Sequence, residues 1–284
     1  MRIEINQIVS EGENSFEILK NKNLLYRADL PFIQINDGFN LEKIRKIKVL
    51  DINNNIIYTS DYNYIENYVE EFIPLKYLVT GSQKFNQLVF KSINKEFKVY
   101  YESNEVLKGS YIIEYNGKKY NVYSVEDGYI RHFPIFINDI QIGEVLKSNV
   151  VYNAKDSYCC FLKDEYEELA DGIIMLFLFL DRFEYNSSYY MVESTNITKK
   201  YSYNKNNKYY DPNWVKNNFD CSDFFLKVDN DVLAVKEVFT NKIKHPIKSM
   251  SKNEKQLLLV ILIFIGGLFL FFIVMFSVLF FLVN

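Results

Sequence analysis

The chain has 284 residues, 49 % of them apolar and 17 % aromatic, with a formal net charge of −3, which is enough apolar material for one large core or two small ones and excludes a disordered chain. Five lysines against Glu254 give residues 242–255 a charge of +4 and leave −7 on residues 1–241, because nothing after Lys255 is charged; so acidic a body excludes general nucleic-acid binding. Three cysteines without a CxxC pair and two histidines provide neither a disulfide framework nor a zinc site of ordinary ligand count, and no cofactor is implied.

From Met1 to about Leu162 short apolar or alternating runs are broken by turn residues, the pattern of an all-β barrel or sandwich. Ile3, Ile5 and Val9 begin it. Phe16 to Leu19 and Leu24 to Tyr26 read as one hairpin around Lys20-Asn21-Lys22-Asn23, and Ile47 to Leu50 and Ile56 to Tyr58 as another around Asp51 to Asn55. The Asp51 run lacks the glycine and the glutamate of a calcium loop, since Ile56 and Tyr62 stand at those places, and is a turn. Residues 61–84 combine helical spacing of Tyr64, Ile65, Tyr68, Val69, Phe72 and Ile73 with interruptions at Pro74 and Gly81, which fits a short helix or loop excursion. Asn116-Gly117 supplies the positive φ angles of a type I′ turn between strands ending at Tyr115 and resuming at Lys118. Asp127-Gly128 introduces a strand from Tyr129 to Phe133, Asn138-Asp139 separates Phe136 from Gln141 to Val145, and Tyr158 to Leu162 closes the series. Cys159 and Cys160 are adjacent in that last strand and should face opposite sides.

The pattern changes at Lys163. Asp164 with Glu167 three residues on is a candidate helix cap, and Asp164, Glu165, Glu167, Glu168 and Asp171 put negative charge at an electropositive helix start. The same acids would also suit a metal or acid–base cluster, but capping alone explains their spacing along one helix start. The run Ile173 to Leu180 is apolar on every side; it would also fit a buried strand, but Leu, Met and Phe outnumber β-branched residues, which favours a helix over about residues 164–181. At about 12 Å it is too short to span a bilayer and must be surrounded by protein.

Residues 186–241 are an Asn-, Lys- and Tyr-rich extension with an ordered segment expected around Asp231 to Phe239, and Trp214 either docks it on the body or serves as an exposed interaction anchor. Residues 242–256 form a basic neck in which Lys242, Lys244, Lys248, Lys252 and Lys255 fix topology and are candidate contacts for anionic lipid headgroups. Leu257 to Val283 is 27 residues without a charge; as a helix it reaches about 40 Å, more than the roughly 30 Å core of a bilayer, and is expected to be a transmembrane helix acting as a tail anchor.

A meander of about ten strands followed by one hydrophobic helix resembles the tubby C-terminal-like superfamily, which includes phospholipid scramblases and the LURP-one-related proteins, and looks like the small barrels of this type in low-GC Gram-positive bacteria. The resemblance rests on GSYIIEYNGKKYNVYSV at Gly109 to Val125, RHFPIFINDIQIGEV at Arg131 to Val145 and YCCFLKDEYEELADGIIMLFLFLDRF at Tyr158 to Phe183, and covers residues 1–185. It implies a mainly β fold, a closed antiparallel barrel around one central helix, to which the anchor is a separate addition. Tubby proteins bind phosphoinositides through a basic patch, but no residue of this acidic body corresponds to it.

No GxGxxG, P-loop, HExxH or GxSxG motif occurs, and His132, between Arg131 and Phe133 in a strand, reads as a structural histidine and His245 as a solvent-facing one. The resulting expectation is a non-enzymatic binding or regulatory module, single-pass in the cell membrane with its body on the cytoplasmic face, its partners being the membrane and an unidentified protein. The alternative is a lipid-binding or lipid-handling, scramblase-like role.

Overall fold

The computed structural model describes residues 1–9, 13–31, 47–62, 64–72, 80–105, 108–127, 129–150, 156–183 and 209–244. Among these residues thirteen strands form a single antiparallel sheet: β1 (Arg2–Val9), β2 (Glu13–Lys20), β3 (Asn23–Pro31), β4 (Lys48–Leu50), β5 (Ile56–Asp61), β6 (Gln83–Lys91), β7 (Glu96–Glu105), β8 (Lys108–Tyr115), β9 (Lys118–Val122), β10 (Val125–Asp127), β11 (Ile130–Ile137), β12 (Ile140–Ser148) and β13 (Ser157–Leu162). Nearly every strand pairs with its neighbour in sequence. β13 pairs with β1, and β9 pairs with β11 at Ile135↔Val122, so twelve strands close into a ring while β10 extends the path of β9 along β11. Closure leaves no long edge among these strands.

Period-two alternation decides which residues face inward. Ile3, Ile5, Phe16, Ile18, Phe97, Val99, Tyr158 and Cys160 belong to the buried core, whereas Arg2, Glu4, Lys98 and Glu114 point the other way. Cys159 and Cys160 do face opposite sides, with only Cys160 in the barrel core. A twelve-strand ring is too wide for its own side chains to fill, since about eight strands is the size at which they do. The lumen is occupied by helix α2 (Ala170–Phe183), in which every residue from Ile173 to Leu180 is buried to within 1 %. Burying each of those side chains contributes at most about 1.5–3 kcal/mol. The fit is close at Gly172, where a Cβ would lie 2.8 Å from both Ile113 and Phe97. Only glycine allows the helix that near the wall.

The expected helix start is corrected by the structure. Asp164–Leu169 is a 3₁₀ segment broken at Tyr166 (φ −111°, ψ 21°), and the α-helix begins at Ala170. The N-cap position is Lys163, with no side-chain cap. Asp164 instead receives the Met1 ammonium at 2.6 Å, and Glu167 pairs with Lys20. Long-range partners win over the local cap because β1 and β2 bring cations to this end.

Strand directions place the turns after β2, β4, β6, β8 and β11 at the end where α2 starts. In four of these five turns tightness follows from left-handed residues: Asn21 (φ 49°) with Lys22 (φ 70°), Asn54 (φ 64°), Asn116 (φ 50°) with Gly117 (φ 72°), and Asn138 (φ 55°). The expected turns at Asn116-Gly117 and Asn138-Asp139 are there, and Asp51 closes its own turn by accepting the amides of Asn53 and Asn55 at 2.8 Å each. Helix α1 (Tyr64–Phe72), the expected short helix, sits at the other end, where Asn67 bonds both backbone groups of Gln87 at the bulge in β6.

Residues Met1–Val232 form one compact unit and Leu233–Asn284 another. Beyond the barrel, α3 (Trp214–Asn218) and α4 (Ser222–Lys244) follow. No helix among the described residues is long and apolar enough to cross a membrane, and the expected anchor, Leu257 to Val283, lies outside the described residues.

Candidate functional site

Three polar clusters surround α2. At its start, Asp171 accepts hydrogen bonds from Tyr58 at 2.6 Å and Tyr26 at 3.2 Å and pairs with Lys95 Nζ at 2.9 Å, so β3, β5 and the β6–β7 turn converge on one carboxylate. Asp171 therefore holds the helix in the barrel mouth. Burial, and then the Asp171 charge, push the Tyr26 and Tyr58 hydroxyls above the ordinary tyrosine value. The folded protein keeps these protons where the unfolded chain has lost them, so the stabilisation is complete below about pH 10 and is lost as pH rises through the folded-state values. Urea titrations between about pH 9 and 12 should show stability falling with pH, and less steeply in Tyr58→Phe; equal slopes would contradict this.

At the other end of α2, Tyr158 donates to Asp181 at 3.0 Å. Beside it Lys147 Nζ and Asp156 Oδ1 lie 2.9 Å apart, with side chains 0 % and 1 % exposed. This contact has the distance of an ion pair without the angles of a directed hydrogen bond.

The third cluster lies outside the barrel. Glu144 and His132, diagonal neighbours facing outward on β12 and β11, meet at 2.6 Å, and Gln141 Nε2 and the Tyr210 hydroxyl donate to the same carboxylate at 3.1 and 3.3 Å. Burial raises the Glu144 carboxyl above its usual range against the opposing effect of His132. Tyr210 belongs to the segment that covers this wall, in which Trp214 and Val215 are buried and α3 rests on β12. Phe219 packs between Trp214 and Phe161, with ring centroids 5.5 and 5.4 Å away. Arg2 pairs with Asp223 at 2.7 Å, and Lys227 donates to Ser157 at 3.0 Å. Trp214 thus takes the docking role.

Between α4 and the β1–β13 pair an open groove of about 140 Å³ is lined by Arg2, Glu4, Asn6, Cys159, Asp223 and Lys227 among others. Arg2 pairs with Asp223 across the groove and with Glu4 along β1. Cys159 is buried beneath the groove, its thiol pushed up to about 12 by burial, and Cys160 is raised further by full burial. Iodoacetamide at about pH 8 should therefore spare both thiols in the folded protein while modifying all three cysteines in urea. Rapid native-state labelling of Cys159 would show that the docked segment does not shield the wall.

Among the described residues no three His, Cys, Asp or Glu side chains converge as a metal-ligand set. The acidic set is dispersed: Asp164 goes to Met1, Glu167 to Lys20 and Asp171 to the mouth cluster. Of the candidate lipid contacts, Lys242 and Lys244 lie near the end of α4, while Lys248, Lys252 and Lys255 lie outside the described residues. Compared with known proteins, the chain matches no family model, no curated protein and no solved structure.

Proposed function

We propose that this chain is a tubby-like barrel held at a membrane by Leu257 to Val283, a non-enzymatic binding or regulatory module on the cytoplasmic face. The observation that carries this reading is the filled lumen. With α2 buried from Ile173 to Leu180, the helix occupies the lumen of the described barrel, which turns recognition toward its outer surface. Lipid handling through the lumen would require α2 to leave it. The uncharged 27-residue stretch and the basic neck before it support membrane attachment and its orientation.

The test is topology in bacterial cells. The chain should stay in membranes after alkaline carbonate extraction, lose that retention when cut after residue 256, and resist protease in spheroplasts while being digested in inverted vesicles. Digestion of the barrel in spheroplasts would overturn the orientation, and extraction by carbonate would overturn the anchor.

A further inference from the structure

Strand register gives an order to the outer wall on which Tyr210, α3 and the start of α4 lie. One cross-strand row on the face turned away from the lumen runs Arg2, Phe161, Glu144, and the next runs Glu4, Cys159, Leu146, His132. Phe161 and Leu146 have no exposure. The barrel is complete without the segment lying on this wall: β13 pairs with β1 to close the ring, α2 fills the lumen, and the segment adds no strand. The segment crosses the wall on three footholds in chain order. The Tyr210 hydroxyl meets Glu144 on β12, Phe219 meets Phe161 on β13, and Asp223 meets Arg2 on β1. Beside the first foothold, Gln141 Oε1 accepts the Asp211 backbone amide at 3.2 Å, a contact that any residue but proline can make.

The present occupant fits loosely. Its Tyr210–Glu144 bond, at 3.3 Å, is longer than the about 2.7–2.8 Å usual for a hydroxyl donor, Asp223 is half exposed, and an open groove remains beneath α4. We infer that this wall is a recognition site for a linear protein segment offering a hydroxyl donor, an aromatic ring and an acid in that order, and that residues 210–223 occupy it until a partner segment of the same chemistry displaces them. The inference deepens the binding-module reading and rests on it, but not on the anchor. A buried carboxylate, an apolar centre, an arginine at the far edge and a side chain that reads a backbone amide together select a peptide. Residues 184–208 join α2 to this segment and keep it near the wall once it is displaced. A covalently joined occupant competes at an effective concentration of order 1 mM, so a partner succeeds by closing the loose contacts.

The probe is a fluorescein-labelled synthetic peptide of residues 209–224 with Cys221→Ser. Three aspartates and one lysine give its side chains a charge of −2, the sign of the acidic body, so charge alone does not hold it there. The receptor is the full chain in detergent with Tyr210→Phe and Trp214→Ala, which loosen the resident segment without touching a barrel strand. The peptide should bind this variant with a Kd of about 10–100 μM, and the unmodified chain about tenfold more weakly because its site is filled. A peptide with the same two substitutions should bind neither. Equal binding to both chains, or none to a variant whose barrel still unfolds cooperatively in urea, would overturn the inference. Trp214 is the one tryptophan of the chain and is 7 % exposed, so it reports displacement directly. In the unmodified chain, about 1 mM of unlabelled peptide carrying Trp214→Phe should raise acrylamide quenching of Trp214 about twofold. Unchanged quenching would mean a cover that does not exchange, and overturns the inference even where the variant fails to fold. Carbonate extraction reports on the anchor separately. Peptide binding by an extractable chain refutes the tether alone, and absent binding by a retained chain refutes the recognition site alone.

Discussion

Phe177→Ala should destabilise the barrel by about 3–5 kcal/mol, read as a shift of the urea midpoint at unchanged slope. The Phe177 ring has no exposure, meeting Phe133 edge-on at 5.1 Å and Tyr158 at 5.3 Å. A cavity on an ordinary two-layer core can shrink as the layers settle together. Here a hydrogen-bonded ring of strands holds the lumen at fixed width, so the void persists and the cost lies toward the upper part of that range. A loss below about 1 kcal/mol would mean that the lumen is slack.

Lys147→Met should cost a comparable amount, about 3–5 kcal/mol, because it strands the Asp156 carboxylate at 1 % exposure with its cation removed. The double variant Lys147→Met, Asp156→Leu should recover most of that loss, since it removes both buried charges together. Equal losses in the single and double variants would show that the Lys147 stem, and not its charge, matters at this site. The cycle therefore separates packing from electrostatics.

The barrel was legible where local chemistry and tertiary structure agree. Asn116-Gly117 and Asn138-Asp139 mark turns by backbone preference alone, and the apolar run Ile173 to Leu180 announces a helix enclosed by protein. Strands β6 and β7 were not legible, because their outward residues include Lys84, Lys98 and Glu102 and a bulge at Asn86 breaks the alternation. The helix cap was misread for a different reason: the partners of Asp164 and Glu167 are Met1 and Lys20, more than 140 residues away. The docked wall left one signal unused. Glu144 is an acid between Gly143 and Val145, and the antiparallel register sets it opposite Pro134, one diagonal step from His132, but Tyr210 arrives from outside the barrel strands. Likewise the mouth cluster draws Tyr26, Tyr58 and Lys95 from three places no local pattern connects.

Amide hydrogen exchange on the full chain asks whether the apolar helix α2 fills the barrel and leaves the outer surface for recognition. Ile173 to Leu180 should be among the slowest-exchanging residues of the molecule, at the same rate in detergent and in lipid vesicles. Exchange as fast as in the exposed turns, or protection that appears only when lipid is present, would contradict it.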